Sequence, residues 1–103
     1  MMDLTAKNFD SIVTSHDSVL VDFYAQWCGP CKLQSNILSA FEEKYPNKFT
    51  VAKLDVDDEP SIAQRYGITT VPTLIVFRKG EAVKREVGVQ TVDKLEQMLG
   101  AAQ

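Results

Sequence analysis

The chain contains 103 residues, of which 45% are hydrophobic and 24% charged, and it carries a net charge of −3 at pH 7. This length and composition fit one folded domain with a single hydrophobic core, which we predict to span residues 1–103. The scattered Lys and Arg residues indicate no nucleic-acid partner, and the apolar runs are too short to cross a membrane.

The first half of the chain alternates between strand and helix patterns. A short first strand within residues 1–4 precedes a helix that Thr5 or Asn8 can cap. In residues 19–25, apolar side chains occupy both the even and the odd positions, which is typical of a central strand covered on both faces. A long helix begins at Pro30, because proline is favoured at the first helical position. The buried stripe of this helix is predicted to contain Leu33, Ile37, Leu38, Phe41 and Tyr45.

The second half predicts three more strands, at residues 49–56, 73–77 and 82–87. Gly67 stops a short third helix, and Thr91 can cap the last helix. The alternation of Val83 and Val87 with charged residues predicts a half-exposed edge strand. Strands joined through helices favour parallel pairing, whereas the tight turn at 79–80 favours an antiparallel hairpin. We therefore predict the order βαβαβαββα and an α/β fold in which helices cover a mixed sheet.

Cys28 and Cys31 are the two cysteines of the chain, and they lie where the central strand meets the long helix. Free N–H groups and the positive end of the helix dipole stabilise a thiolate there, so we expect a lowered pKa for at least one thiol. Residues at i and i+3 share a helix face and can reach disulfide geometry with little movement. A C-x-x-C motif beside a βαβ pattern is typical of thiol–disulfide exchange.

The positions of the two cysteines suggest different roles. Cys28 precedes the helix as an outer, exposed thiol, whose thiolate attacks a substrate disulfide and forms a mixed disulfide. Cys31 lies inside the first turn and resolves that intermediate by attacking Cys28. One alternative is a metal ion shared between two chains, since His16 and the two cysteines cannot complete a four-ligand site. Another is a structural subunit that docks partners without using its thiols.

Several stretches of the chain resemble the thioredoxin family, and together they cover nearly the whole sequence. They are residues 21–32 around Trp-Cys-Gly-Pro-Cys, 51–56, 66–73 with Val-Pro-Thr at its end, 77–80 and 87–88. The resemblance implies a thioredoxin fold, in which four helices flank a five-stranded mixed central sheet. It also implies a protein-disulfide reductase that acts as an electron donor for cellular reductions and redox homeostasis.

The resemblance also implies roles for individual residues. Cys28 is the nucleophile and Cys31 the resolving thiol, the two form a reversible disulfide, and Pro72 is a cis-proline that faces them. The substrate-docking residues implied by the resemblance are Trp27, Gly29, Pro30, Val71, Gly88 and Val89. We expect the Trp27 ring to be partly exposed for this purpose. Asn36 departs from the family pattern, in which a proline at this position kinks the long helix.

Asp22 and Lys53 are the two charged residues that the resemblance places behind Cys31. Asp22 interrupts the central strand, where a buried carboxylate is costly unless it is neutral or paired, so we expect its pKa to be raised. Such a carboxylate can accept the proton of the Cys31 thiol. Lys53 either pairs with Asp22 or points outward into solvent.

The expected partners also come from the family resemblance. It implies a monomer without a bound cofactor that reduces disulfide-containing proteins. A flavin-containing thioredoxin reductase that uses NADPH is implied as the source of electrons. Residues 1–7 lack the basic region and the apolar stretch of a signal peptide, so we expect a cytoplasmic location.

Overall fold

Five strands and four helices follow one another along residues 1–100, the part of the chain that this computed structural model describes. The strands are β1 (Met2–Asp3), β2 (Ser18–Tyr24), β3 (Thr50–Asp55), β4 (Thr73–Arg78) and β5 (Glu81–Val87). The helices are α1 (Phe9–Ser15), α2 (Gly29–Lys44), α3 (Pro60–Arg65) and α4 (Val92–Leu99). This is the predicted order of elements. Residues 101–103 of the predicted domain lie outside the described part of the chain.

The five strands form one mixed sheet in the order β1-β3-β2-β4-β5. The central strand β2 is parallel to β3 and antiparallel to β4, and β4 and β5 form the predicted antiparallel hairpin. All residues from Val19 to Phe23 are buried, which confirms that both faces of the central strand are covered. The chain therefore leaves β2 at the middle of the sheet and enters α2 there.

Alternate residues of β2 point into two cores, one on each face of the sheet. Val21 and Phe23 belong to a core that also contains Phe9 of α1. Leu20 belongs to the opposite core, together with Leu38 of α2 and residues of α4. Each fully buried side chain of this size stabilises the fold by about 1.5–3 kcal/mol relative to an exposed one. Helix α2 is thus held against the face of β2 that carries Leu20.

Helix α1 begins after two residues that cap one another. The Thr5 Oγ1 atom accepts a hydrogen bond from the Asn8 N–H group over 3.3 Å. In return, the Asn8 Oδ1 atom accepts one from the Thr5 N–H group over 2.7 Å. This exchange satisfies N–H groups that a helix start otherwise leaves without partners. Asn8 is the N-cap residue of α1, but its side chain bonds Thr5 and makes no cap hydrogen bond to the helix itself.

The buried stripe of α2 differs from the prediction near its start. Leu33 is 54% exposed, whereas Gln34 is fully buried. The prediction of Leu33 in the core is wrong because the buried face runs through Cys31, Gln34 and Leu38. That helical spacing leaves Leu33 on the solvent side. A polar side chain thus occupies a core position that hydrophobicity alone did not reveal.

Strand β5 lies at the sheet edge, as predicted, but neither of its faces is buried, and six of its seven residues are exposed. Val83 and Val87 are 43% and 56% exposed. The β4–β5 pairing is irregular between Val76 and Phe77, and the register passes over Val83. Such an irregularity interrupts the alternation of strand faces. The predicted alternation of a buried face and an exposed face in this strand is therefore wrong.

Helix α2 runs unbroken from Gly29 to Lys44 and includes Asn36. An asparagine retains the N–H group that a proline lacks, so the helical hydrogen bonding can continue through this position.

Across residues 1–100, the helices fall short of the combined length and apolar character that a membrane crossing requires.

Leu38→Ala and Leu33→Ala form a matched pair on one helix. We expect Leu38→Ala to lower the free energy of unfolding by about 2–5 kcal/mol, because it leaves a cavity in the core. Leu33→Ala should change the free energy of unfolding by less than about 0.5 kcal/mol, because that side chain is largely in solvent. Urea unfolding followed by circular dichroism measures both values. Equal losses would mean that Leu33 packs in the core after all.

Candidate active site

Cys28 and Cys31 lie at the N-terminal end of α2 and are joined in a disulfide, with their Cα atoms 5.3 Å apart. Cys28 is the N-cap residue of the helix, and its backbone is extended. The helix begins at Gly29, one residue before the predicted start, and Pro30 lies in its first turn. A proline is tolerated there because N–H groups of the first turn make no hydrogen bonds within the helix.

The sulfur of Cys28 acts as the cap of α2. The Cys31 N–H group donates a hydrogen bond to this sulfur over 3.2 Å, in the way that it would donate to a Ser or Asp cap. The N–H groups at this helix end carry the partial positive charge of the helix dipole. The same arrangement stabilises a thiolate at Cys28 once the disulfide is reduced.

Exposure does not distinguish the two cysteines in this disulfide state, since each is 4% exposed. The expectation of an exposed thiol at Cys28 is wrong here because Val56 and Val71 pack against the cluster that the two cysteines form with Ala25. The neighbours of the two sulfurs do differ. The Cys28 sulfur lies 3.7 Å from the Val71 carbonyl oxygen. Cys31 instead lines a cavity of about 300 Å³ that Lys53 also lines.

The loop before β4 lies beside Cys28. Its Val71–Pro72 peptide bond is cis, as the resemblance implied. The Gly88 N–H group donates a hydrogen bond to the Pro72 carbonyl oxygen over 2.8 Å. Gly88 has a φ of +89°, a conformation that favours glycine, and the half-buried Val89 follows it. The predicted docking residues of these two segments are therefore brought together.

Gln34, which the sequence reasoning missed, joins the segment after β5 to α2. Its Nε2 group donates to the Gln90 carbonyl oxygen over 3.1 Å, and its Oε1 atom accepts from the Gln90 N–H group over 2.6 Å. These bonds satisfy an amide that would be costly to bury alone. The available signal was a polar residue three positions after Cys31, on the same helix face.

Trp27 is 73% exposed, which agrees with the expectation of an exposed aromatic ring beside the cysteines. Its indole N–H group donates a hydrogen bond to the Asp57 carboxylate over 2.8 Å. This contact, which the sequence did not reveal, holds the ring against the turn that precedes α3. Trp27 and residues 68–71 line a groove of about 310 Å³.

Asp22 is 2% exposed and shares the strand parity of Leu20, so it faces the side of the sheet that α2 covers. Burial raises the pKa of Asp22 from 3.8 to about 7, and the positive charge of Lys53 partly opposes that rise. The Asp22 Oδ1 atom accepts no hydrogen bond from any group in residues 1–100. The expected buried carboxylate with a raised pKa is confirmed.

Lys53 lies directly opposite Asp22 in the register of β2 and β3. Its ammonium group nevertheless pairs with Asp3, at a distance of 3.7 Å. The same group lies 5.6 Å from the centre of the Tyr24 ring. These contacts match the predicted arrangement in which Lys53 points outward. Its positive charge nevertheless lowers the pKa of Asp22.

We find no cluster of metal-binding side chains in the described part of the chain. Residues 1–100 contain no group of three or more His, Cys, Asp or Glu side chains that can hold a metal ion. The Nδ1 atom of His16 lies 2.9 Å from the Ile12 carbonyl oxygen. The one histidine of the chain is therefore engaged at the end of α1.

Comparison with known proteins identifies one family. The family model described as Thioredoxin matches residues 1–101. A thioredoxin from Alicyclobacillus acidocaldarius is 44% identical over 98 residues, which are 95% of this chain and 93% of that protein. The bifunctional thioredoxin reductase/thioredoxin of Mycobacterium leprae is 44% identical over 85 residues, or 82% of this chain and 19% of that protein. A mutant thioredoxin from Halobacterium salinarum has a TM-score of 0.88 and 36% identity, covering 97% of this chain and 88% of that chain.

The matches bear out the fold and the class of function that the sequence predicted. The family model and the Alicyclobacillus relative both span nearly the whole chain, and the solved structure shares its architecture. The Cys28–Cys31 pair at the start of α2 supplies the dithiol that the chemistry requires. This protein therefore belongs to the thioredoxin family and is a thiol–disulfide oxidoreductase.

Proposed function

We propose that this protein reduces disulfides in other proteins, with Cys28 as the attacking thiolate and Cys31 as the resolving thiol. The observation that supports this division most directly is the hydrogen bond from the Cys31 N–H group to the Cys28 sulfur. That bond favours negative charge at Cys28. The Val71 carbonyl oxygen, 3.7 Å from the same sulfur, adds an acceptor with which a bound peptide backbone can pair.

The exchange transfers two electrons to the substrate. The Cys28 thiolate attacks one sulfur of the substrate disulfide, the S–S bond breaks, and the other substrate sulfur leaves as a thiolate that takes up a proton. The Cys31 thiolate then attacks the Cys28 sulfur of the mixed disulfide and releases the first substrate sulfur. The substrate ends as a dithiol, and the protein ends as the Cys28–Cys31 disulfide.

Asp22 assists the second step by accepting the proton of Cys31. A pKa of about 7 leaves this carboxyl group partly ionised at neutral pH, where it is a stronger base than an ordinary aspartate. Lys53 keeps the pKa from rising further, since its charge favours the carboxylate. Burial and the charge of Lys53 together leave this carboxyl group partly ionised near pH 7.

The substrate docks on a face formed by three segments: residues 27–30, 71–72 and 88–89. The exposed Trp27 ring and the groove along residues 68–71 provide apolar surface. The Val71 backbone lets an extended peptide add as a further strand. Because main-chain groups provide part of this binding, the face accepts disulfides in different sequence contexts.

A flavin-containing thioredoxin reductase returns the disulfide to the dithiol with electrons from NADPH. The Mycobacterium leprae relative supports this partner, because its name joins a thioredoxin reductase and a thioredoxin in one protein. The two sulfurs carry the electrons, so the chain itself needs no bound cofactor. We place the protein in the cytoplasm, where dithiols persist, and as a monomer, which leaves its docking face open.

Cys28→Ser should lower disulfide reduction to the background rate, because the attacking sulfur is lost. Cys31→Ser should also stop turnover, but it should accumulate a mixed disulfide between Cys28 and the substrate. Insulin reduction in the presence of NADPH and a thioredoxin reductase measures turnover, and mass spectrometry detects the trapped complex. Trapping by Cys28→Ser instead would exchange the two roles. Full activity of both variants would overturn the proposal.

Asp22→Asn should slow the attack of Cys31 on the mixed disulfide at pH 7 by on the order of 100-fold, because an amide cannot accept the proton. Rapid-quench measurement of the disappearance of the mixed disulfide gives this rate. Asp17→Asn, at an exposed position before β2, is the matched control and should not alter it. An unchanged rate in Asp22→Asn would remove the proposed role.

The buried Asp22 carboxyl group also makes stability depend on pH. In the unfolded chain it releases its proton near pH 3.8, whereas in the folded chain it retains the proton up to about pH 7. Between these values the folded state binds the proton and the unfolded state does not, so the free energy of unfolding falls as pH rises. The difference in pKa corresponds to a loss of about 4 kcal/mol once Asp22 is fully ionised.

Asp22→Asn should therefore be more stable than the wild-type protein at pH 8, by up to about 4 kcal/mol, and should gain little at pH 4. Urea unfolding of the oxidised proteins at both pH values measures the gain. The exposed control Asp17→Asn should change the free energy of unfolding little at either pH. The same gain at pH 4 and pH 8 in Asp22→Asn would contradict ionisation as its cause.

A further inference from the structure

Gln34 is a fully buried polar side chain in a helix whose other buried residues form the core and the disulfide. It lies three positions after Cys31, so both residues share one face of α2. Burial of an amide without partners costs free energy and would normally be avoided. Both ends of the Gln34 amide are instead hydrogen-bonded to the backbone of Gln90, at 3.1 and 2.6 Å. The buried amide is thus directed at one specific backbone position.

Gln90 lies in the short connection between β5 and α4, next to the proposed docking residues Gly88 and Val89. Its own side chain folds back on this connection, where Nε2 donates to the Gly88 carbonyl oxygen over 3.0 Å. The Gly88 N–H group in turn donates to the Pro72 carbonyl oxygen over 2.8 Å. Hydrogen bonds therefore run from α2 through residues 88–90 to the cis-proline loop.

We propose that Gln34 is a positioning residue for protein substrates, which holds residues 88–90 at a set place relative to the helix that carries Cys31. The proposal rests on the proposed docking role of Gly88 and Val89. A docking face made of three chain segments requires those segments to keep fixed positions relative to one another. No covalent cross-link between the segments fixes these positions. The two bonds of Gln34 supply the link between α2 and the segment that follows β5.

Small disulfides and protein disulfides should respond differently to loss of the link between Gln34 and Gln90. A small disulfide needs access to the Cys28 sulfur, whereas a protein substrate must also contact the docking face. Loss of the link should therefore raise the KM for a protein substrate and leave its kcat nearly unchanged. If the side chain served stability alone, its loss would lower the free energy of unfolding and affect both substrates equally.

Gln34→Met is the first test, because it keeps the length of the side chain and removes both hydrogen bonds. We expect the ratio of kcat/KM for insulin to kcat/KM for a small aromatic disulfide to fall about five- to tenfold. That fall corresponds to about 1–1.4 kcal/mol at 1.4 kcal/mol per factor of ten. Gln97→Met makes the same chemical change at an exposed helical position and should leave the ratio unchanged. An unchanged ratio in Gln34→Met would overturn the proposal.

Gln34→Glu gives a second test that does not depend on how well the methionine variant folds. A protonated glutamic acid offers an O–H donor and a carbonyl acceptor, the two functions that Gln34 uses here, and can restore both bonds to Gln90. An ionised glutamate can accept from the Gln90 N–H group but faces the Gln90 carbonyl oxygen without a donor. The KM for insulin, divided by the wild-type value at the same pH, should therefore fall as the pH is lowered. A ratio that stays well above one at every pH would contradict the proposal.

Val89→Asp separates this inference from the proposed docking surface. If Val89→Asp raises the KM for insulin and Gln34→Met does not, the docking surface stands and the positioning role of Gln34 fails. If neither variant changes the KM, the docking role of residues 88–89 fails and the positioning role fails with it. Cys28→Ser tests the exchange chemistry independently of both, since it removes the reacting sulfur itself.

Discussion

The capping of α2 by the Cys28 sulfur is the interaction on which the active site depends. It requires the helix to begin a few residues after the central strand of the sheet ends, so that the Cys31 N–H group points at the sulfur. Burial of β2 on both faces holds that junction in place. The same N–H groups favour a sulfur with negative charge, which links a local feature of helix geometry to the chemistry of exchange.

Burial of Asp22 lowers the free energy of unfolding when its carboxyl group is ionised. Its neighbours on β2 are fully buried hydrophobic residues, and the positive charge of Lys53 compensates only part of the cost of burial. A pKa of about 7 is the consequence, so the carboxyl group is partly protonated and partly ionised at neutral pH. The surrounding aromatic and aliphatic core supplies the stability that this one position takes away.

Local patterns predicted much of the fold because the forces behind them act within one element. The two-sided apolar run at residues 19–25 identified the central strand, since such a run is stable only when both faces are covered. Thr91 caps α4 through its side chain, as its position before an apolar stripe indicated. Asp22 could be predicted as buried because its neighbours left no exposed face. Leu33 could not be placed, because periodicity near a helix start does not show which of two adjacent faces meets the sheet.

The tertiary structure alone decided how distant residues meet around the disulfide. Gln34 binds Gln90 across 56 positions of sequence, and Trp27 binds Asp57 across 30. Periodicity reports which face of an element is buried, but the residue that faces it from another element depends on strand register and on the path of the loops. The sequence by itself determined the order of the elements and the reactive pair of sulfurs, because these follow from local spacing. The folded chain decided what surrounds that pair, because those contacts exist only once the sheet has assembled.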